Sequence, residues 1–411
     1  MAVFAPDNNP GNSTSHSAAA LIIAGGRGTR FWPESRINRP KPLFSIDGKT
    51  SLLADTVARM HPLVAHDRVF VLASAEQAPL FRSVLKKLIP PRNLIVEPEG
   101  RGTAVAIAYG TALIAERLSD EAVVAVMPAD HYVTPTAAFQ HTLRDATRLA
   151  AVHEAIVVIG VKPTRPETGY GYLKIGRTVK VPSVSSRQGL AGLVERAEQR
   201  LGKRSRAGED PIPPYGQREV GWGPSTAAAF ELDRFVEKPA ASVALKMMRS
   251  GKYLWNAGMF VMSATTLAAE LGLHAPPLGE VMRHFASMKP AQLERSYRSL
   301  QFESFDRVVA EKSRNVLGVR ARFTWHDVGS WDGLWEALRG RGRNVLIGNI
   351  LAMGADGVLA RAHDRLMVLL GVNDIVAIET ADVILIANRT QSQEVRKIIA
   401  ELQRRGSERY L

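Results

Sequence analysis

Residues 21–42 read LIIAGGRGTRFWPESRINRPKP, an apolar run that enters a turn crowded with small residues and cations. Glycines at 25, 26 and 28 let backbone N–H groups approach phosphate oxygens, and Arg27, Arg30 and Lys41 supply charge to neutralise a polyphosphate. Two familiar phosphate loops do not fit. A dinucleotide fingerprint would need glycine where Phe31 stands, and a Walker motif ending at Gly48, Lys49 and Thr50 would need glycine at Leu43. That triplet reads as a surface turn. Asp130 follows the apolar run Val123 to Met127 and a proline, so its carboxylate should project from the carboxyl end of a strand. Magnesium ligand, helix cap and turn former are all open to it, and Asp327, beside His326, has the same readings. Glu237 and Lys238 set an acid beside an amine, suited to a hydroxyl and a phosphate or simply to each other. Asn256 offers both a donor and an acceptor.

These residues need a scaffold. Leu21–Ala24, Arg68–Ala73, Leu94–Val96, Val123–Met127 and Ile156–Val161 are apolar, β-branched runs, each followed by a longer segment. That alternation predicts an α/β fold whose mostly parallel sheet is covered on both faces, with ligands at the carboxyl ends of the strands. Residues 1–17 read as a flexible tail and 18–340 as the main domain, with a basic insertion at about 178–230 that lacks apolar periodicity. From 341 to 411, short Val, Ile and Leu runs separated by Gly, Asn and Asp predict a small β domain of short coils. Val395, Ile398, Ile399 and Leu402 then recur at helical spacing, an amphipathic end helix that docks on its own domain or on a partner subunit.

Composition narrows the chemistry. The 411 residues contain no cysteine, which excludes disulfides, thiolate metal sites and cysteine nucleophiles and leaves oxygen or imidazole ligands for a hard cation. A net charge of +13 admits nucleic acid or an anionic small molecule, but basic and aromatic residues do not interleave on one face, so no nucleic-acid partner is expected. No stretch of about 18 apolar residues is present, so no membrane span is expected and a cytoplasmic location follows.

AGGRGTRFWP followed by RPKP resembles the signature of the sugar nucleotidyltransferases. EPEGRGTAVAIA (97–108), MPADHYV (127–133), TGYGYL (168–173), FVEKP (235–239), WNAGMF (255–260), FDRVVAEKS (305–313) and WHDVGSWD (325–332) are similar, in order, to the mannose-1-phosphate guanylyltransferase branch. The resemblance implies a Rossmann-like nucleotidyltransferase domain followed by a short left-handed β-helix, without the isomerase extension of bifunctional relatives. It also implies GTP and mannose 1-phosphate as substrates, Mg2+ as cofactor, and a homodimer through the C-terminal region. Arg27, Lys41, Asp130, Lys238 and Asp327 would be catalytic, with Asp130 and Asp327 holding the metal. Ala24, Gly25, Gly26, Gly28, Thr29, Arg30, Glu97, Gly102, Thr103, Gly169, Tyr170, Glu237 and Asn256 would bind substrate. Because a sugar phosphate is already ionised at neutral pH, His131 and His326 read as hydrogen-bonding or orienting groups rather than bases. The chain departs from the branch pattern at Gly102, where Asn is usual, and at Pro42, where Gln is usual. Another sugar, another triphosphate, or a weakly active regulatory relative remain the alternatives.

Overall fold

The computed structural model describes residues 18–25, 28–181, 229–301, 303–340 and 342–411. The tail 1–17, the loop residues Gly26 and Arg27, and residues 182–228 of the expected insertion lie outside the described residues.

Nine strands form the main sheet: β1 (Ala19–Ala24), β2 (Val69–Ser74), β3 (Leu94–Glu97), β4 (Val123–Pro128), β6 (Ile156–Val161), β7 (Tyr172–Val179), β8 (Ala229–Val236), β9 (Tyr253–Ser263) and β10 (Val316–Arg320). Their order is β3-β2-β1-β4-β9-β6-β10-β8-β7. The first four are mutually parallel, as are β6 and β10, whereas β9 runs antiparallel between β4 and β6. The pair β7 and β8 is antiparallel and flanks residues 182–228, so Thr178, Val179, Ala229 and Phe230 belong to strands.

The apolar runs become strands buried on both faces, because helices cover the sheet from either side. Along β1, Ala20, Ile22 and Ala24 enter one core while Ala19 and Leu21 enter the other. Each fully buried Val, Leu or Ile contributes roughly 1.5–3 kcal/mol by leaving water. The helix Thr103–Arg117 lies so close to β1 that a Cβ at Gly110 would sit 2.6 Å from the Leu21 side chain. A small ribbon of β5 (Tyr132–Thr134) and β11 (Thr324–His326) pairs antiparallel, with His326 opposite Tyr132. Since β5 begins just after Asp130 and β11 ends just before Asp327, this ribbon brings the two aspartates to the same end of the sheet.

Six strands follow: β12 (Val345–Ile347), β13 (Ile350–Met353), β14 (Leu359–Arg361), β15 (Met367–Leu370), β16 (Ile375–Glu379) and β17 (Ile384–Asn388). β12, β14 and β16 stack in parallel, as do β13 and β15, which is the coil geometry of a β-helix, and β17 closes antiparallel on β16. The end helix Val395–Arg404 buries its apolar stripe against its own chain, next to the one-turn helix Thr29–Phe31. Gly48, Lys49 and Thr50 form a turn, with the Lys49 and Thr50 amides donating to Asp47 Oδ1. Among the described residues no helix is long and apolar enough to cross a membrane.

Candidate active site

The glycine-rich turn leaves β1 at Ala24 and re-forms as the one-turn helix Thr29–Phe31. Gly28 has φ +60°, and a Cβ there would lie 2.2 Å from the Lys41 Cβ, so only glycine lets the two segments meet. Lys41, buried, reaches inward to donate to Asp130 Oδ2 at 2.8 Å and to the Asp327 carbonyl at 2.7 Å. Tyr170 approaches from the other side, its hydroxyl donating to Asp327 Oδ1 at 2.5 Å and its ring packed edge-on against Trp255 and Trp325. Lys41, Asp130, Tyr170 and Asp327, far apart in the chain, thus form one hydrogen-bonded group.

Burial alone would raise the Asp130 carboxyl, but the Lys41 ammonium and then His131 outweigh it and hold Asp130 below the ordinary carboxylate range. Burial, then the charge of Asp327, pushes the Tyr170 phenol upward, so it stays a donor. Burial lowers His131 and His326 to about 4, leaving both neutral near pH 7. The Trp325 indole donates to His131 Nδ1 at 3.1 Å, which puts the proton of that neutral ring on Nε2. The Nδ1 lone pair of His131 is thus taken by Trp325. Burial, then the neighbouring Arg396 of the end helix, lowers the Arg30 guanidinium, with Asp327 and Glu167 opposing.

Beside this group opens a cavity of about 440 Å³, whose lining includes Gly25, Glu97, Gly102 and Thr103 together with Asp130, His131, Gly258 and Asp306. Glu97, at the end of β3, accepts from the buried Tyr297 hydroxyl at 2.9 Å, and burial raises its pKa. Gly102 adopts φ 91° and ψ 162°, a conformation essentially confined to glycine, which explains why Asn does not stand there. Thr103 turns its hydroxyl to the protein, accepting from the Phe305 amide at 2.9 Å. Pro42 is buried within the one-turn helix Lys41–Leu43.

The remaining expected residues cluster further along. Asn256 accepts from the Gly258 amide at 3.1 Å and donates to Asp306 at 2.7 Å, while its backbone N–H donates to the Gly171 carbonyl. Glu237 and Lys238 pair with each other at 2.9 Å, and the Lys238 amide donates to the Tyr170 carbonyl. Gly169 donates to Glu167 and is exposed. Lys238 and Val328, at φ 48° and 45°, are non-glycine residues in the left-handed region, a strain that concentrates at functional sites. Ala24 is buried at the end of β1, outside the cavity wall. Gly26 and Arg27 lie outside the described residues. Asp306, His131 and Gly258 also line the cavity, although the sequence does not single them out as binding residues; FDRVVAEKS flags the first only as part of a block.

Among the described residues no three His, Cys, Asp or Glu side chains form a ready-made metal cage. Two strand-end carboxylates beside a phosphate loop are nonetheless the donor set that a hard divalent cation shares with substrate phosphates.

The family model for nucleotidyl transferases matches residues 19–186 and 206–342, most of the chain and all of this site. The chain belongs to the nucleotidyl transferase family. A second model, the mannose-phosphate isomerase/GMP-like β-helix domain, matches residues 348–402. The chain is 30% identical over 394 residues to the xanthan biosynthesis protein XanB of Xanthomonas campestris pv. campestris, covering 94% of this chain and 73% of that one. It is also 30% identical to the mannose-1-phosphate guanylyltransferase of Escherichia coli K12, over 94% of this chain and 73% of the relative. A crystal structure named as mannose-1-phosphate geranyltransferase from Thermus thermophilus superposes with a TM-score of 0.76 at 30% identity, covering 94% of this chain and 99% of that one. This nucleotidyltransferase thus shares both its sheet and its β-helix with relatives in sugar-nucleotide synthesis.

Proposed function

We propose that this enzyme transfers GMP from GTP to mannose 1-phosphate, giving GDP-mannose and pyrophosphate. The observation that carries the proposal is Lys41 joined to both Asp130 and Asp327 beside a cavity that Asp130 and Glu97 both line. An anionic oxygen of the sugar phosphate attacks the α-phosphorus of GTP in line. The bond from that phosphorus to the bridging oxygen breaks, and pyrophosphate leaves with the electron pair. No covalent enzyme intermediate and no base are required, because the attacking sugar phosphate is already ionised at neutral pH. Arg27 and Lys41 stabilise the departing charge, and Lys238 receives the sugar phosphate by opening its pair with Glu237. Asp130 and Asp327 would hold a divalent cation, Mg2+, whose charge neutralises the phosphates of both substrates.

The choice of guanine is supported by Glu97. A carboxylate at a cavity wall offers two acceptors to the adjacent N1–H and 2-amino donors of guanine, a pattern that adenine, uracil and cytosine do not present. Incubating the protein with mannose 1-phosphate, magnesium and each triphosphate in turn, while measuring pyrophosphate, tests reaction and base together. Release with GTP above all others is expected; release with none, or with another triphosphate first, overturns the proposal.

A homodimer through the C-terminal region is part of the same reading. Leu351 opposite Val368 and Met353 opposite Leu370, on β13 and β15, expose four large apolar side chains on one flat face. Light scattering on the full chain should give twice the monomer mass, reduced to one by Leu370→Glu; a monomeric wild type refutes it.

A further inference from the structure

Asp306 takes no part in the reaction as described, yet it lines the substrate cavity. It opens a π-helical turn, Asp306–Ala310, a rare backbone form that recurs at functional sites. Its carboxylate accepts from Asn256 Nδ2 at 2.7 Å, and Asn256 Oδ1 is engaged by the Gly258 amide, so the orientation of the asparagine amide is set at both ends. Asn256 in turn touches the Gly171 carbonyl through its backbone, and a Cβ on Gly171 would strike Glu237 Oε2 at 2.7 Å. Glu237, Asn256 and Asp306 are therefore one packed unit.

We propose that Asp306 is a sugar-specificity residue: it accepts a hydrogen bond from a hydroxyl of the bound sugar 1-phosphate while holding Asn256 in a single donor–acceptor orientation beside it. The proposal rests on the nucleotidyltransferase reading above. The chemistry favours a hydroxyl over a phosphate as the partner of Asp306. A carboxylate repels a phosphate, and Glu237 also stands near Asp306, with Lys238 opposing; a sugar hydroxyl, being neutral, can donate its O–H to the carboxylate. Burial, then the charge of Glu237, raises the Asp306 carboxyl to about 6, so it is an ionised acceptor at neutral pH but an expensive one. A buried charge held against that tendency fits a ligand that completes its hydrogen bonds.

The test is calorimetric binding of GDP and of GDP-mannose, with magnesium, to the full chain, to Asp306→Ala and to Asp306→Asn. Losing a hydrogen bond to a charged acceptor predicts that Asp306→Ala binds GDP-mannose about 10- to 100-fold more weakly while GDP affinity stays within about threefold. Asp306→Asn keeps the side-chain shape and an oxygen for Asn256, so it folds even where alanine does not. It should show the same selective loss, smaller in size. An equal loss for both ligands, or no loss for either, overturns the assignment. A wild type that binds neither ligand overturns the reading beneath it, a result distinguishable from selective failure of the variants.

Discussion

Replacing Asp306 by Asn should stabilise the fold and impair the enzyme, and the stabilisation should depend on pH. The Asp306 carboxyl titrates at about 6 in the folded chain against an ordinary 3.8. Because the folded pKa is the higher one, the native state holds its proton more tightly than the unfolded chain does. Ionisation therefore favours unfolding: the penalty is absent below about 3.8, grows as pH rises, and is complete above about 6. The gap between the two values, at about 1.4 kcal/mol per pH unit, is about 3 kcal/mol. Asp306 faces a cavity that water reaches, which screens part of this, so about 1–3 kcal/mol is expected for a side chain that cannot ionise. With a urea slope of a few kcal/mol per molar, that is a midpoint increase of roughly 0.3 to 1 M at pH 8. At pH 4.5 the advantage should shrink to about a third, since that pH lies barely above the unfolded value of 3.8 and the folded carboxyl still holds its proton. Urea titrations of wild type and variant at pH 8, 6 and 4.5 make the comparison. A variant no more stable than wild type at pH 8, or equally favoured at both extremes, would refute the reasoning. A gain in stability accompanied by a loss of sugar affinity is the trade expected where function keeps a strained charge.

Lys41→Ala should reduce turnover about 100- to 1,000-fold, read as pyrophosphate release, because a preorganised cation at the phosphates is lost; near wild-type turnover would remove Lys41 from the machinery. Tyr170→Phe deletes the donor to Asp327 Oδ1 and should raise the magnesium needed for half-maximal turnover by about tenfold or more, with Mn2+ binding by electron paramagnetic resonance weakened in parallel. Unchanged metal dependence in both measurements would make Tyr170 a packing residue only. Glu97→Gln keeps an acceptor for Tyr297 but mismatches guanine, so kcat/KM for GTP should fall about 10- to 100-fold while the ratio of GTP to ATP use narrows; a ratio unmoved would place base selection elsewhere.

What the sequence exposes and what it hides divide along a physical line. Strands β1 to β4 and β6 are legible because a strand covered on both faces must be apolar throughout, and the spacing of Val395, Ile398, Ile399 and Leu402 shows the end helix for a similar reason. The central antiparallel β9 is less visible: Asn256, bonded to Asp306 and Gly258, interrupts its apolar pattern, and its pairing with β6 is broken by a register shift near Gly160. Individual site residues stand out where glycine and charge concentrate, as from Gly25 to Lys41. Their contacts do not. Tyr170 meets Asp327 across 157 positions and Lys41 reaches the Asp327 carbonyl across 286, and no local pattern encodes either. Asp306 is visible within a block, but its purpose depends on Asn256, 50 positions away.

The C-terminal strands also brace the segment that carries Lys41. Phe31, Trp32 and Phe44, on either side of Lys41 after the glycine-rich turn, pack not into the sheet but with Trp331, Val345, Leu359, Val376 and Ile378. Arg361 of β14 pairs with Glu34 at 2.7 Å, both buried, and donates to the Ser45 and Ile46 carbonyls. Arg36 forks onto Asp382, and the Trp32 indole donates to the Tyr410 carbonyl at 2.7 Å. The segment 31–46 is thus fastened at several points to residues beyond 340, and Lys41 lies inside it, with its ammonium 5.8 Å from the centre of the Phe31 ring. Removing either partner of the buried Arg361–Glu34 pair would leave the other charge uncompensated, at a cost of about 3–5 kcal/mol. A cation that must meet Asp130 and Asp327 within hydrogen-bond distance cannot be aimed by a loose loop. In this chain Arg361, Asp382 and Tyr410 hold the segment that carries Lys41.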